Sequence, residues 1–168
     1  YNGLHLEGKM TEVFERMQAL GRPTLAVAEC VPDSLRLRAS GFGGVYDPHV
    51  WMDVRRWQYA ARCVAETLAR MDTARAAFYR DRLAAYLAEL DSTDAYVRRR
   101  SATLPPERRV LITSHDAFRY FGEAYGWEVH GLLGVSTASE AGTADVQQLA
   151  EFIVARRVPA IFVESSVP

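Results

Sequence analysis

The sequence predicts an α/β fold with parallel sheet strands and one helix long enough to join two lobes. Two observations carry this. Beyond Pro105-Pro106, apolar runs alternate with helical patterns: Val110 to Thr113, His115 to Tyr125, Trp127 to Leu133, a helix from Thr143 or Ala144 to Arg157, and Ala160 to Val163. Strands separated by helices imply a parallel sheet with right-handed crossovers. Ahead of the two prolines, a helical pattern starts at Asp72 or Thr73 and runs almost to Leu104. A helix of about 30 residues spans roughly 45 Å, enough to connect two lobes rather than lie inside one.

The remaining elements follow in chain order. Tyr1 to Leu6 reads as a strand end and turn, and Glu7 to Leu20 as a helix with Met10, Val13, Phe14, Met17 and Leu20 on one face. Gly21-Arg22-Pro23 stops it, and Thr24 to Ala28 reads as a short strand. Gly41-Phe42-Gly43-Gly44 marks a loop and lacks the pattern of a phosphate cradle. Asp53 stands where an N-cap belongs, ahead of Val54, Trp57, Ala61, Val64, Leu68 and Met71, which form one helical stripe. The organisation expected is residues 1–71 as part of an N-terminal lobe, 72–104 as the inter-lobe helix and 105–168 as part of a C-terminal lobe.

Composition narrows the function classes. The 168 residues are 49% hydrophobic and 24% charged, enough for a real core. A net charge of −1 gives no footprint for nucleic acid or an anionic membrane. Arg98-Arg99-Arg100 is a local basic cluster, read as a solvated helix face. Cys30 and Cys63 are far from any metal-type spacing and read as two buried thiols. No stretch has the length of a transmembrane helix, and no signal peptide is visible. The chain opens on Tyr1 and stops after Val163-Glu164-Ser165-Ser166-Val167-Pro168, so both ends read as cuts through a larger protein.

Two histidines carry the candidate chemistry. His49 follows Asp47-Pro48, a dipeptide whose proline fixes its own φ and pushes Asp47 toward an extended backbone. His115 follows an apolar strand, and Ser114 reads as the cap of a helix opening on His115 and Asp116. That places His115 at the carboxyl end of a strand, where open α/β sheets bind ligands. The positive helix end would keep its ring neutral and able to bind a cation. Ser114-His115-Asp116 is no catalytic triad, since neighbouring residues at a helix start point in different directions. His5 and His130 read as structural or packing residues, and Trp51, Phe118, Phe121 and Tyr125 either wall the site or fill the core. Glu140 is an acid at the expected crevice edge and reads more simply as a solvated loop residue.

Five segments occur in order: Asn2-Gly3-Leu4-His5-Leu6-Glu7, Asp47-Pro48-His49-Val50-Trp51, Thr113-Ser114-His115-Asp116-Ala117-Phe118, Gly134-Val135-Ser136-Thr137-Ala138-Ser139-Glu140-Ala141 and Ile161-Phe162-Val163-Glu164-Ser165-Ser166. Together they resemble the zinc/manganese substrate-binding proteins of ABC transporters, a family that includes streptococcal adhesin lipoproteins. The resemblance covers essentially the whole chain. It implies a two-lobed metal-receptor fold with a long connecting helix, here truncated at both ends, and Zn²⁺ or Mn²⁺ held between the lobes. The family's ligand set is usually three histidines and an aspartate, with glutamate replacing one histidine in some manganese receptors. Its second and third members fall on His49 and His115. The first belongs upstream of Asn2 and the last downstream of Ser166, and His5 matches a motif position that is not a ligand.

Function follows as an expectation: an extracytoplasmic receptor that captures Zn²⁺ or Mn²⁺ and passes it to an ABC-transporter membrane permease. It is periplasmic or lipid-anchored, a monomer when intact, and performs no covalent chemistry. Imidazoles tilt the choice toward zinc. Transition-metal sites need about four protein ligands, or three plus water, so the two histidines alone would bind weakly. The 168 residues also lack the early strands of one lobe and the later strands of the other, which leaves sheet edges and apolar faces uncovered and would make them poorly stable by themselves. Two alternatives stand beside this. One is a metal-dependent hydrolase with Asp116 or Glu140 as general base; the other is a surface adhesin in which metal is incidental.

Overall fold

A computed structural model describes residues 1–39, 46–133 and 142–163. Its helices are α1 (Thr11–Ala19), α2 (Val54–Met71), α3 (Ala76–Ala102), α4 (Arg119–Tyr125) and α5 (Thr143–Arg156). Its strands are β1 (Val110–His115) and β2 (Glu128–Leu133), which pair in parallel with Ile112 opposite His130 and His115 opposite Leu133. The β1–α4–β2 crossover is therefore the parallel unit that the alternating pattern predicts.

Asp53 caps α2 as expected, accepting from Arg55 N at 2.8 Å and Arg56 N at 3.5 Å. The buried face of α2 is not the large apolar stripe but Arg56, Ala60, Ala65 and Ala69. Small side chains there let α3 approach closely, and Trp57, Val64 and Leu68 are left to line a cleft with Tyr79, Leu83 and Tyr86. The two helices run antiparallel, since Arg55 meets Asp94 at 3.1 Å while Trp57 Nε1 donates to Tyr86 Oη at 3.1 Å. The far end of α3 reaches the β1–α4–β2 unit: Arg98 Nη1 donates to Ala124 O at 3.0 Å, and Trp127 Nε1 donates to Ser101 Oγ at 2.9 Å. Burial pushes the Asp94 carboxyl up, but hydrogen bonds from Arg98, Tyr125 and Arg55 outweigh it and leave the group below the usual carboxylate range.

Four sequence expectations change. Thr24 to Ala28 is not a strand: residues 24–26 are extended alongside Tyr1, and Val27–Cys30 close into a 3-10 turn. Ala160 to Val163 contributes a single parallel bridge, Phe162 to Thr113, with Phe162 N bonded to Ile112 O at 2.8 Å. The helix after β1 begins at Arg119, not at His115; Ser114 and His115 remain in the strand, and Phe118 rather than Ser114 holds the N-cap position of α4. Finally, Cys30 and Cys63 are not thiols but a disulfide, with Cα atoms 6.2 Å apart. The Gly126 stop is as predicted, in the left-handed conformation that ends α4.

One core cluster joins Leu4, Ala28, Val31, Val50 and Tyr120, with Leu37, Tyr46 and Trp57 packed against it. It lies directly under His49, whose neighbour Val50 is completely buried. Met10, Val13, Met17 and Leu20, on or flanking α1, are all exposed, while Phe14 stacks on Tyr1 at 4.3 Å.

The disulfide closes a loop of 33 residues between the N-terminal segment and α2. Chain-entropy arguments value such a closure at about 3–4 kcal/mol. The Cys30→Ser/Cys63→Ser double variant is therefore expected to lose stability of that order in urea denaturation. Equal midpoints for the variant and the oxidised parent would count against the cross-link.

Candidate metal site

The Asp47-Pro48-His49 segment is rigid for local reasons. Pro48 and the extended Asp47 deliver His49 to the start of a 3-10 turn, Val50–Met52, which runs straight into the capped end of α2. Asp47 then folds back on its own segment, its Oδ1 accepting from His49 N at 2.9 Å and lying 2.7 Å from His49 Nδ1. Asp47 is fully buried and His49 is 4% exposed. A carboxylate on Nδ1 places the proton there and leaves the lone pair on Nε2, the tautomer that a metal ion requires.

His115 ends β1. Thr113 Oγ1 donates to His115 O at 2.7 Å, and the next residue, Asp116, donates its N–H to Leu133 O at 3.1 Å, so both sides of the histidine are pinned. The helix-dipole argument for a neutral ring does not apply, because α4 starts at Arg119. Strand geometry, not helix capping, aims this residue.

The two rings converge, with centroids 5.4 Å apart and planes inclined at 57°. At a zinc–nitrogen bond of 2.0–2.1 Å, each centroid of a coordinating imidazole lies about 3.2 Å from the ion; a tetrahedral angle would then set the centroids about 5.2 Å apart. The observed separation could thus hold one divalent cation between the rings. Among the described residues no group of three or more His, Cys, Asp or Glu side chains is placed so as to hold a metal ion. Glu140, with the rest of the Gly134–Ala141 motif, lies outside the described residues, as does the Glu164-Ser165-Ser166 end of the last one.

Residues that sequence reasoning passed over hold the pair in place. Tyr120, on α4, is completely buried; its hydroxyl accepts from Leu37 N at 2.9 Å and donates to Asp47 O at 3.0 Å. Burial pushes the phenol up to about 12, so it remains a donor at neutral pH. The element that follows His115 therefore bonds the residue that orients His49. Arg56, beneath, pairs with Asp53 at 2.7 Å and with Glu123 on α4, and its guanidinium lies over the Tyr120 ring.

The Asn2-Gly3-Leu4-His5 motif supports the site rather than coordinating there. Asn2 Nδ2 donates to Pro48 O at 3.1 Å, and the Glu7 carboxylate accepts from Asn2 N at 2.6 Å. Gly3 has φ +87°, and a Cβ on it would meet Ala26 Cβ at 2.8 Å. His5 is exposed, and His130 packs on Phe152 with centroids 4.2 Å apart. Of the candidate wall residues, Trp51 stands edge-on to His49 at 5.2 Å. Phe121, half-buried, and Tyr125, buried, instead pack on each other at 4.9 Å.

The family model described as zinc-uptake complex component A, periplasmic, matches residues 1–168. The chain is 52% identical over 168 residues to the zinc-binding protein TroA of Treponema pallidum (strain Nichols), covering 100% of this chain and 54% of that protein. It is 40% identical over 167 residues to the manganese-binding lipoprotein MntA of Bacillus subtilis (strain 168), covering 99% and 54% respectively. The solved structure of the periplasmic zinc-binding protein TroA from Treponema pallidum superposes with a TM-score of 0.94 over all of this chain and 60% of that one. The chain thus spans about half the length of the curated relatives it matches.

Proposed function

Given that the chain belongs to the family of periplasmic zinc-uptake component A, we propose that it belongs to an extracytoplasmic receptor that captures Zn²⁺ or Mn²⁺ for an ABC transporter. The observation that carries the reading is the His49–His115 pair, set 5.4 Å apart with Asp47 holding Nδ1 of His49. His49 and His115 are two ligands of the cargo ion. Asp47 fixes the first ring, while the Tyr120 hydroxyl holds Asp47 in register with the strand that carries the second. The relatives' names point to both metals, zinc for TroA and manganese for MntA; two imidazoles tilt the choice toward zinc.

The rest of the reading follows the family. Residues 1–71 belong to one lobe and 105–168 to the other, with 72–104 between them; α3 suits that role because it is bonded to α2 along one stretch and to the β1–α4–β2 unit at its end. The ion is cargo and undergoes no covalent change, so the protein is not an enzyme, and its partner is the membrane permease. The intact protein acts as a monomer, periplasmic or lipid-anchored. A Cys30–Cys63 disulfide suits an oxidising compartment outside the cytoplasm.

The hydrolase alternative requires turnover, and the adhesin alternative requires no specific metal uptake. Titrating the protein as its gene encodes it with Zn²⁺ and Mn²⁺, alongside ester and phosphate substrates, separates the three. Saturable uptake of one ion per chain without turnover is the expected result. Metal-dependent turnover, or no saturable uptake, would overturn the receptor reading.

A further inference from the structure

Arg119, the first residue of α4, stands between the two histidine-bearing segments in a way that metal capture does not require. Its Nη1 lies 4.0 Å from Asp47 Oδ2 and its Nε lies 3.9 Å from Asp116 Oδ2. Asp47 orients His49 through its other oxygen, and Asp116 directly follows His115. The same Nη1 donates to Arg38 O at 2.6 Å, which anchors the guanidinium where it is. Asp47 Oδ2 is buried and has no hydrogen-bond partner among the described residues, so Arg119 is the ion-pair partner placed nearest to it, just beyond hydrogen-bonding reach. A built-in cation thus lies beside a pair of rings arranged to hold a cation, and it draws on the two carboxylates that would otherwise add negative potential there.

We propose that Arg119 is a positioning residue that holds the receptor's affinity for its divalent cargo down, so that the ion is released rather than kept. The inference rests on the receptor reading of His49 and His115. The physical reason is Coulombic. A fixed positive charge close to the site opposes the second positive charge of a bound ion, and it offsets the fields of Asp47 and Asp116. With a side chain 30% exposed, the guanidinium acts through a partly aqueous medium and its influence depends on salt. A guanidinium that served only as a structural clasp would act through its hydrogen bond to Arg38 O, and neutral donors would replace it.

The test uses Arg119→Gln, which keeps a donor for Arg38 O but removes the charge, and Arg119→Lys, which keeps the charge. Both are made in the protein as its gene encodes it, with Zn²⁺ as the probe in competition against a chelating dye. Arg119→Gln is expected to bind zinc on the order of tenfold more tightly, chiefly through slower dissociation. Arg119→Lys is expected to stay within about threefold of the parent, and the gap between parent and Gln variant should shrink as salt rises from about 0.05 to 0.5 M. A readout independent of cargo accompanies this. The metal-free Gln variant should melt about 2–4 °C lower, because the buried Asp47 carboxylate loses its nearby cation. If zinc binds the parent but the Gln variant binds equally or more weakly, or its gain is insensitive to salt, the Arg119 inference fails while the receptor reading stands. If the parent takes up no zinc, both fail.

Discussion

Replacing both His49 and His115 by alanine is expected to reduce zinc affinity on the order of 10³-fold or more, about 4 kcal/mol. The magnitude follows from what lesser changes do. Groups that merely orient a metal-bound histidine are typically worth about 10–100-fold each, and here the two proposed direct ligands are removed. Each single variant should already lose most of the binding, since each leaves a site with one imidazole fewer and nothing in the strand or the turn to replace it. Competition with a chelating dye measures the change, and circular dichroism of the metal-free variants checks that the fold persists. His49→Ala carries a further cost of about 1–3 kcal/mol in stability, because it strips the buried Asp47 Oδ1 of its ring partner. Parent-like zinc affinity in the double variant would remove the pair from the site altogether.

Gly131→Ala should be the most damaging small change in the β1–α4–β2 unit. A Cβ on Gly131 would fall on the backbone of Asp116, against its amide nitrogen and 2.6 Å from its Cα. Backbone cannot rotate aside as a flexible side chain can, so β2 or the turn after His115 must move. Overpacking of this kind costs about 1–3 kcal/mol or more, and we place this case at the upper end, a fall of about 6–10 °C in melting temperature. Zinc affinity should fall with it, because Asp116 N is the bond that pins His115 to β2. Gly8→Ala is the matched control. Its added Cβ meets nothing within 4 Å, so only the positive φ of +54° is penalised, at about 1 kcal/mol. Equal losses in the two variants would show that crowding against Asp116 is not what Gly131 avoids.

What the sequence disclosed, and what it hid, divides along the range of the forces involved. The Asp53 cap, the long helix ending before Pro105 and the Gly126 stop are local features, set by residues within a turn of one another, and all three stand in the structure. The convergence of His49 and His115 is not local, and no spacing rule contains it; it was legible only through resemblance to a family. The misplaced helix start at His115 shows two local signals in competition. Ser114 has the chemistry of a cap, but parallel pairing with β2 continues through His115, and the ladder keeps the backbone extended. The stripe of α2 was read correctly as helical, but its spacing does not tell which residues are most buried, which are Arg56 and three alanines. Tyr120 escaped notice because an aromatic residue in a helix looks like core. It is core, but its one polar atom reaches a backbone carbonyl in a distant segment, which no periodicity reveals. The pairing of Cys30 with Cys63 depends on where the 3-10 turn at Val27–Cys30 settles against α2, again a tertiary fact.

The Tyr120 hydroxyl bridges Leu37 and Asp47, and the Asp47 carboxylate in turn holds the His49 ring. Ordering of the first imidazole is therefore completed when the polypeptide folds, and an arriving ion has little entropy left to remove there.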